Sequence, residues 1–411
     1  MSQARAFCTG YYILGIAMAI LVGLNPNHFT SIDSGYYLQS ATNLLAGHGY
    51  VVQENGQLIW NGTFPIGYSA LIASVSGLAG LPVLIASKLV NYIAIGLSSY
   101  GWVRRLGVSR ASWLLAIWGI GSFLKIAVYS WSETVFLVLL AEWIWCLHQF
   151  LLKPVTSRSF SLFLIGLSLF LTRYAGGYVV GLTSSLALIV WLFPEVAQTH
   201  LGVIQPRSVA LKLVAISTAG VVSMVAYFEI NQHLSGSFFG GDRFLPTEST
   251  SELLKIFGWA ILNEGLFIRD FSRVGSNQLA WIGLGVQLVL LSAMYRQFRR
   301  NKLSETKPLA VTSLIRLFLF TASIYVLVLF TLRVFSPFSD PTFRLMAPFT
   351  FCLLFAISIG IGELPQKQQR ILRVWGLLLW LCSWVQLLPE ANLLLKLGQI
   401  WTSLAIHLAL F

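Results

Sequence analysis

Residues 25–68 read NPNHFTSIDSGYYLQSATNLLAGHGYVVQENGQLIWNGTFPIGY. This is the first long polar interruption in a very apolar chain, and it follows directly on the first segment able to cross a membrane. Asp33 stands a few residues past the end of that segment. A short amphipathic run, a Gly-His-Gly turn, a polar hairpin-like piece and Pro65-Ile66-Gly67-Tyr68 come next, leading into a further apolar stretch. The order is that of a loop at a membrane surface that carries chemistry, with Asp33 as the candidate catalytic base.

The surrounding chain supports a membrane setting. Of its 411 residues 56% are hydrophobic and only 10% are charged, whereas a soluble domain has about 25% charged residues. Its mean hydropathy is +0.75. The expected class is therefore an all-α polytopic membrane protein, since each span needs about 20 mostly apolar residues. Residues 6–24 have the length of a signal peptide, but Leu24-Asn25-Pro26 makes a poor cleavage site, which favours an uncleaved first span. Cys8, Cys146, Cys352 and Cys382 fall in apolar runs without paired spacing, so neither a disulfide framework nor a zinc site is expected. The net charge of +12 is spread in short clusters between apolar segments. A nucleic-acid footprint would gather on one face, so no nucleic-acid partner is expected.

Read outward from the loop, the apolar runs place spans at about 7–24, 83–103, 111–128, 134–150, 159–172, 177–193, 213–230, 277–295, 314–332, 345–362 and 374–388. Residues 65–80 are apolar but short, which suits a segment at the interface. The tail 391–411 reads as an interfacial helix or a twelfth span. Seventeen of the 27 lysines and arginines then fall in the segments assigned to the cytoplasmic side, as the positive-inside rule requires. Driving 65–80 across the membrane would invert every later loop and put these clusters outside. The expectation is a single integral membrane domain over 1–411 with about 11 transmembrane helices and the N-terminus cytoplasmic. Two long outer loops, 25–82 and 231–276, complete it.

Within the first loop Tyr37, Leu38, Ala41, Leu44 and Leu45 recur at helical spacing and form one apolar stripe. A helix of this kind lies flat on a bilayer, and Gly47 is a natural stop for it. Asp33 then falls at or just before the helix start, where it also reads as an ordinary N-cap.

At this point the chain resembles a family. Asp33 after the first span, the Tyr-rich helix, Gly47-His48-Gly49-Tyr50 and Pro65-Ile66-Gly67-Tyr68 are similar to the first loop of GT-C glycosyltransferases. The nearest resemblance is to the lipid-linked-sugar transferases related to protein O-mannosyltransferases and aminoarabinose transferase. SWSETVFLVLLAEWIW, LTRYAGG, GSFFGGDRFLP and PTFRLMAPF resemble that family's later motifs in the same order, so the likeness covers most of residues 7–350. Ser34 stands where the family commonly has a second acid. No cofactor is therefore predicted, the question of a divalent metal remaining open.

The resemblance implies a GT-C-like bundle with interfacial helices in the first outer loop. It also implies an inverting transfer of a sugar from a polyprenyl-phosphate donor to an acceptor hydroxyl at the outer face of the inner membrane. The acceptor would be a glycan, lipid or protein, and the other partners are membrane lipids. Asp33 would take the hydroxyl proton, and cations would hold the departing phosphate. The candidates for that are Arg173, Arg243, Arg344 and Lys125. Each also has a bland reading: the arginines snorkel to head groups, and Lys125 pairs with Glu133. Glu133 orients the acceptor or forms an ion pair with Arg173. Glu142, in mid-span, needs a partner that the sequence does not identify. Tyr36, Tyr37, Tyr68 and Trp60 are candidates for stacking on sugar rings. His48 reads as a turn residue, and Asn61-Gly62-Thr63 as a glycosylation sequon on an outer loop. Two rival functions share this sequence: a lipid-linked-sugar transporter or flippase, and a non-catalytic assembly subunit with a GT-C-like fold. A transporter of this size usually carries internal repeats, and none is visible.

Overall fold

The computed structural model describes residues 3–240, 248–266, 309–335 and 341–387, with short pieces between 285 and 296. The first helix, α1 (Gln3–Leu24), carries no acid and stops just before Asn25-Pro26, since the residue before a proline is pushed out of the helical region. The turn that follows is held by the Asn25 side chain. Its Oδ1 accepts the backbone N–H groups of Asn27 at 2.9 Å and Phe29 at 3.1 Å. His28 and Phe29 adopt left-handed φ of 49° and 51°, a conformation that costs energy in non-glycine residues and needs such support.

Helix α2 (Ile32–Leu45) starts at Ser31, whose side chain caps it by accepting the Ser34 N–H. The polar piece is a two-stranded hairpin, β1 (Val51–Glu54) and β2 (Gln57–Trp60), with Glu54 opposite Gln57. Asn55 and Gly56 turn it with φ of 50° and 82°, the positive angles a tight two-residue hairpin turn demands. Helix α3 (Gly67–Ala79) is 13 residues long, in keeping with the expected short segment. The stripe expected to face the bilayer is turned inward instead. Tyr37 and Ala41 pack on Tyr68 and Ile72 of α3, and only Leu45 remains exposed among the five.

Helix α4 (Val83–Leu106) matches the second expected span. The third does not form one rod. It is broken into α5 (Val108–Trp118) and α6 (Gly121–Val128), bent by 72°. The break is satisfied from elsewhere in the chain. Ser383 Oγ accepts the Gly121 N–H at 2.9 Å, and Trp384 Nε1 donates to the Gly119 carbonyl at 2.8 Å. Backbone groups freed by a kink inside a membrane must find such partners.

Helix α7 (Glu133–Leu152) is the most buried of the long apolar helices and packs against α4 and α8 (Thr156–Thr172). A 3-10 turn (Tyr174–Gly177) leads to α9 (Tyr178–Leu192), α10 (Pro194–Leu201) and α11 (Pro206–Ser235). The second expected outer loop is partly helical, because α11 runs into it and α12 (Thr250–Leu266) lies within it. Helices α13 (Leu309–Phe335) and α14 (Phe343–Gly362) form a close pair beside α7, and α15 (Gln366–Ser383) completes the described chain with a 3-10 turn over Trp384–Leu387.

Among the described residues seven helices are long and apolar enough to cross a membrane, or eight if the bent pair counts as one span. The class is therefore an all-α polytopic membrane protein. The expected tail 391–411 and most of span 277–295 lie outside the described residues. The span expected at 374–388 corresponds to α15, whose first turn, Gln-Lys-Gln-Gln-Arg, is polar.

Candidate active site

Four charged side chains from four elements meet at one end of the bundle. Asp33 comes from the first turn of α2, Glu133 from the first residue of α7, Arg173 from the residue that ends α8, and Arg344 from the first turn of α14. Arg344 forks between the two acids: its Nη1 donates to Asp33 Oδ2 and its Nε to Glu133 Oε1. Arg173 Nη1 pairs with the same Glu133 oxygen. The Glu133 side chain is 3% exposed while that of Asp33 is 33% exposed, so the two carboxylates have different environments. Glu133 is enclosed with two guanidinium groups, and leaving such a charge unpaired would cost about 3–5 kcal/mol. Asp33 is reachable from outside. Among the buried atoms of the described residues without a hydrogen-bond partner is Glu133 Oε2, a free acceptor one atom away from both arginines.

Local sequence explains how these groups converge. Asp33 is not the N-cap; Ser31 is, which leaves the Asp33 carboxylate free to meet Arg344. Trp131 is the platform of the site. Its indole Nε1 donates to Ser31 Oγ at 2.7 Å, its ring stacks on Tyr129 at 3.7 Å, and the Arg344 guanidinium lies 4.3 Å from the ring centroid. Such a cation–π seat holds a guanidinium plane in place. Arg173 depends on the tight turn after it. A Cβ on Gly176 would come within 2.3 Å of the Leu169 carbonyl carbon, so only glycine lets the chain fold back there.

The sequence candidates fare differently. The expected Arg173–Glu133 pair is present, and Arg344 proves to be shared with it. Lys125 is buried, with its ammonium 4.9 Å from the ring of Phe343, the residue before Arg344. Arg243 lies outside the described residues. Tyr36 is part-exposed beside Asp33 and donates from its hydroxyl to Glu54 at 3.3 Å. Burial first, then the nearby Glu54 carboxylate, pushes its phenol above the usual range.

Tyr37 and Tyr68 are corrected. They are 1% and 0% exposed and meet edge to face, so neither presents a ring to a sugar. Both lie on the inward side of the helices that bury the loop's apolar stripe. Tyr37 shares a 2.9 Å hydrogen bond with Ser132 Oγ, and Tyr68 donates to Asn91 Oδ1 at 3.2 Å. Burial raises both phenols well out of the range of a base, leaving them as neutral struts. Trp60 likewise donates its indole N–H to Asn231 at 2.9 Å. The sequon is closed in the folded chain: Asn61 is 1% exposed and donates to Ser40 Oγ at 2.8 Å. The partner of Glu142 is Arg105, at 2.5 and 2.8 Å, with its guanidinium carbon 5.1 Å from the rings of both Trp102 and Trp145.

Three contributors were missed in the sequence. Ser31 and Trp131 are two; Trp131 was signalled only by its place two residues before Glu133. The third is Lys88 of α4, whose Nζ donates to the Phe29 carbonyl at 3.0 Å and to Ser130 Oγ at 2.7 Å. A lysine inside an apolar helix was the signal for it. Among the described residues no group of three or more His, Cys, Asp and Glu side chains is placed to hold a metal ion, and the two acids take a guanidinium between them. A groove of about 340 Å³ between α9 and α11 shares no residue with this cluster.

This is a polytopic helical membrane fold whose charged cluster sits where the first loop meets the ends of α7, α8 and α14. No family model and no curated protein sequence matches the chain. Among solved structures it is similar to the crystal structure of ArnT from Cupriavidus metallidurans bound to undecaprenyl phosphate. The TM-score is 0.53 and the identity 12%, over 90% of this chain and 62% of that one. The apo state of the same protein aligns over 88% of this chain at a TM-score of 0.40 and 13% identity. The chain thus shares the fold of that ArnT structure and spans somewhat under two thirds of that protein's length.

Proposed function

We propose that the chain is a glycosyltransferase that moves a sugar from a polyprenyl-phosphate donor to an acceptor hydroxyl, working as one integral membrane domain of the inner membrane. The observation that carries this reading is the Asp33–Arg344–Glu133–Arg173 cluster, at the end of the bundle where the first loop closes over an ArnT-like fold. The similar structure holds undecaprenyl phosphate, which supports a lipid-linked donor of that class. The basic clusters between spans support a cytoplasmic N-terminus and a site on the outer side.

In this reading the acceptor hydroxyl approaches the part-exposed Asp33 and gives it its proton. The hydroxyl oxygen bonds to the anomeric carbon as the bond from that carbon to the phosphate oxygen breaks on the opposite face, so the centre inverts. The electron pair leaves with the polyprenyl phosphate. Arg344 and Arg173 take up the charge that develops there, because preorganised donors aimed at a leaving group stabilise the transition state. Glu133 keeps the two guanidinium groups in register.

The test is transfer by the purified chain in lipid nanodiscs, offered a panel of polyprenyl-phosphate sugars and followed by release of polyprenyl phosphate. Turnover that depends on Asp33 is expected. Absence of release from every donor, by protein that binds polyprenyl phosphate, would favour the assembly-subunit reading. Lipid movement without transfer would favour a flippase.

A further inference from the structure

Helix α15 carries two opposed stripes. Inward, Gln369, Leu372, Leu379 and Ser383 are buried. Leu372 packs with Ile361, Leu364 and Trp113 of α5. The Gln369 side-chain amide donates to the Gly362 and Leu364 carbonyls at 3.2 and 2.7 Å, closing the turn before the helix. Outward, Lys367, Arg370, Val374, Leu377, Leu378 and Leu381 recur at helical spacing, and all are exposed. Along that stripe the cations come first and only apolar side chains follow. Arg373 widens the cationic end; it too is exposed, with its guanidinium carbon 5.8 Å from the Trp113 ring centroid.

No acid balances these charges. The first turn of α15 holds none, and the neighbouring Glu363 is taken by Arg110 of α5 at 2.8 Å. Among the described residues Lys367, Arg370 and Arg373 have no ion-pair partner. Cations at a helix N-terminus add to the positive end of the helix dipole, so this end of α15 attracts an anion from outside the chain. From Arg370 to Leu381 the stripe runs about 16 Å at the helical rise. That is close to half of a hydrocarbon core of roughly 30 Å, the depth of one leaflet. The stripe is also remote from the Asp33 cluster. Arg344 lies in the first turn of α14 and Gly362 ends it, a separation of about 30 Å along the helix.

We infer that the outward face of α15 binds an anionic phospholipid of the leaflet opposite the Asp33 cluster. Its phosphate sits at Lys367, Arg370 and Arg373, and its chains lie along Val374 to Leu381. A second copy of this chain, with its net charge of +12, would cover the apolar half and crowd the cations. The inference needs neither a sugar donor nor a transfer reaction. It does bear on the fold: Ser383 at the end of α15 and Trp384 just after it satisfy the break between α5 and α6, so a lipid that holds α15 braces that break.

The experiment measures binding of phosphatidylglycerol, and of phosphatidylcholine with the same chains, to the full chain in detergent by native mass spectrometry. The melting temperature is read at each lipid addition. Wild type is compared with Lys367→Gln/Arg370→Gln and with the charge-keeping Lys367→Arg/Arg370→Lys. Arg373 stays in place so that its contact with Trp113 survives. Wild type is expected to prefer phosphatidylglycerol about tenfold and to melt higher with it. The Gln variant is expected to keep a preference of about twofold or less, the scale on which basic residues near an anionic surface contribute. The charge-keeping variant is expected to behave as wild type. Phosphatidylcholine binding and the lipid-free melting temperature report folding in each. A Gln variant whose preference stays within twofold of wild type overturns the inference, since cations elsewhere would then hold the lipid. So does a wild type that binds the two lipids equally. Displacement of phosphatidylglycerol by one equivalent of polyprenyl monophosphate would place it at the donor site, and cross-linking between copies through Leu378→Cys would give the face to a second copy; either result also overturns it.

Discussion

Replacing Asp33 with Asn separates chemistry from structure, because the side chain keeps its shape and loses its charge. The structural cost is small. The Asp33 carboxylate is 33% exposed and its partner Arg344 keeps the Glu133 contact. An ion pair this open to solvent is worth about 1 kcal/mol at most, so the melting temperature in detergent should fall by no more than about 3 °C. The kinetic cost is large, since a positioned general base contributes about 10²- to 10⁴-fold. The structure adds a second consequence. Arg344 released from Asp33 is freer to meet a phosphate, and regaining about 1 kcal/mol corresponds to roughly fivefold tighter binding. Single-turnover release of polyprenyl phosphate, with lipid-phosphate binding on the same preparations, reads both quantities. The account expects turnover to fall at least a hundredfold while phosphate binding holds or tightens. Turnover within tenfold of wild type would refute Asp33 as the base. Loss of binding in parallel with turnover would refute the competition for Arg344.

Further outcomes follow from the same geometry. Arg344→Lys keeps one positive charge but cannot fork between Asp33 and Glu133; transfer assays should show at least a tenfold loss with the protein still folded. Tyr37→Phe removes only the hydrogen bond to Ser132 and should cost about 1 kcal/mol in stability, with transfer reduced less than tenfold. Gly176→Ala drives a methyl into the Leu169 carbonyl and should destabilise by about 2 kcal/mol or more, seen as a lowered melting temperature. A cysteine at the exposed His48 in a cysteine-free background should be labelled by an impermeant maleimide from the outer side, whereas one at the exposed Lys153 should not.

Much of the architecture was legible because apolar runs obey a strong rule: a span must satisfy its own backbone. The short segment expected at 65–80, which forms α3, follows from its length, and the hairpin-like piece from its polar composition between apolar runs. The break between α5 and α6 was not legible, since the groups that satisfy it, Ser383 and Trp384, lie more than 260 residues away. The candidate site was half legible. Acids and arginines at span ends stand out in a chain with 10% charge. Which arginine meets which acid depends on how α14 docks on α7, and local spacing carries no record of that. Tyr37 and Tyr68 misled because aromatic residues in a polar loop look free until the helices carrying them pack face to face.

A structure of the chain with a polyprenyl-phosphate sugar bound tests the central claim most directly. The account predicts phosphate oxygens about 2.7–2.9 Å from the guanidinium nitrogens of Arg344 or Arg173. It also predicts the Asp33 carboxylate across the anomeric carbon from that phosphate. A phosphate seated away from both arginines, or a sugar on the far side of the bundle from Asp33, would contradict it.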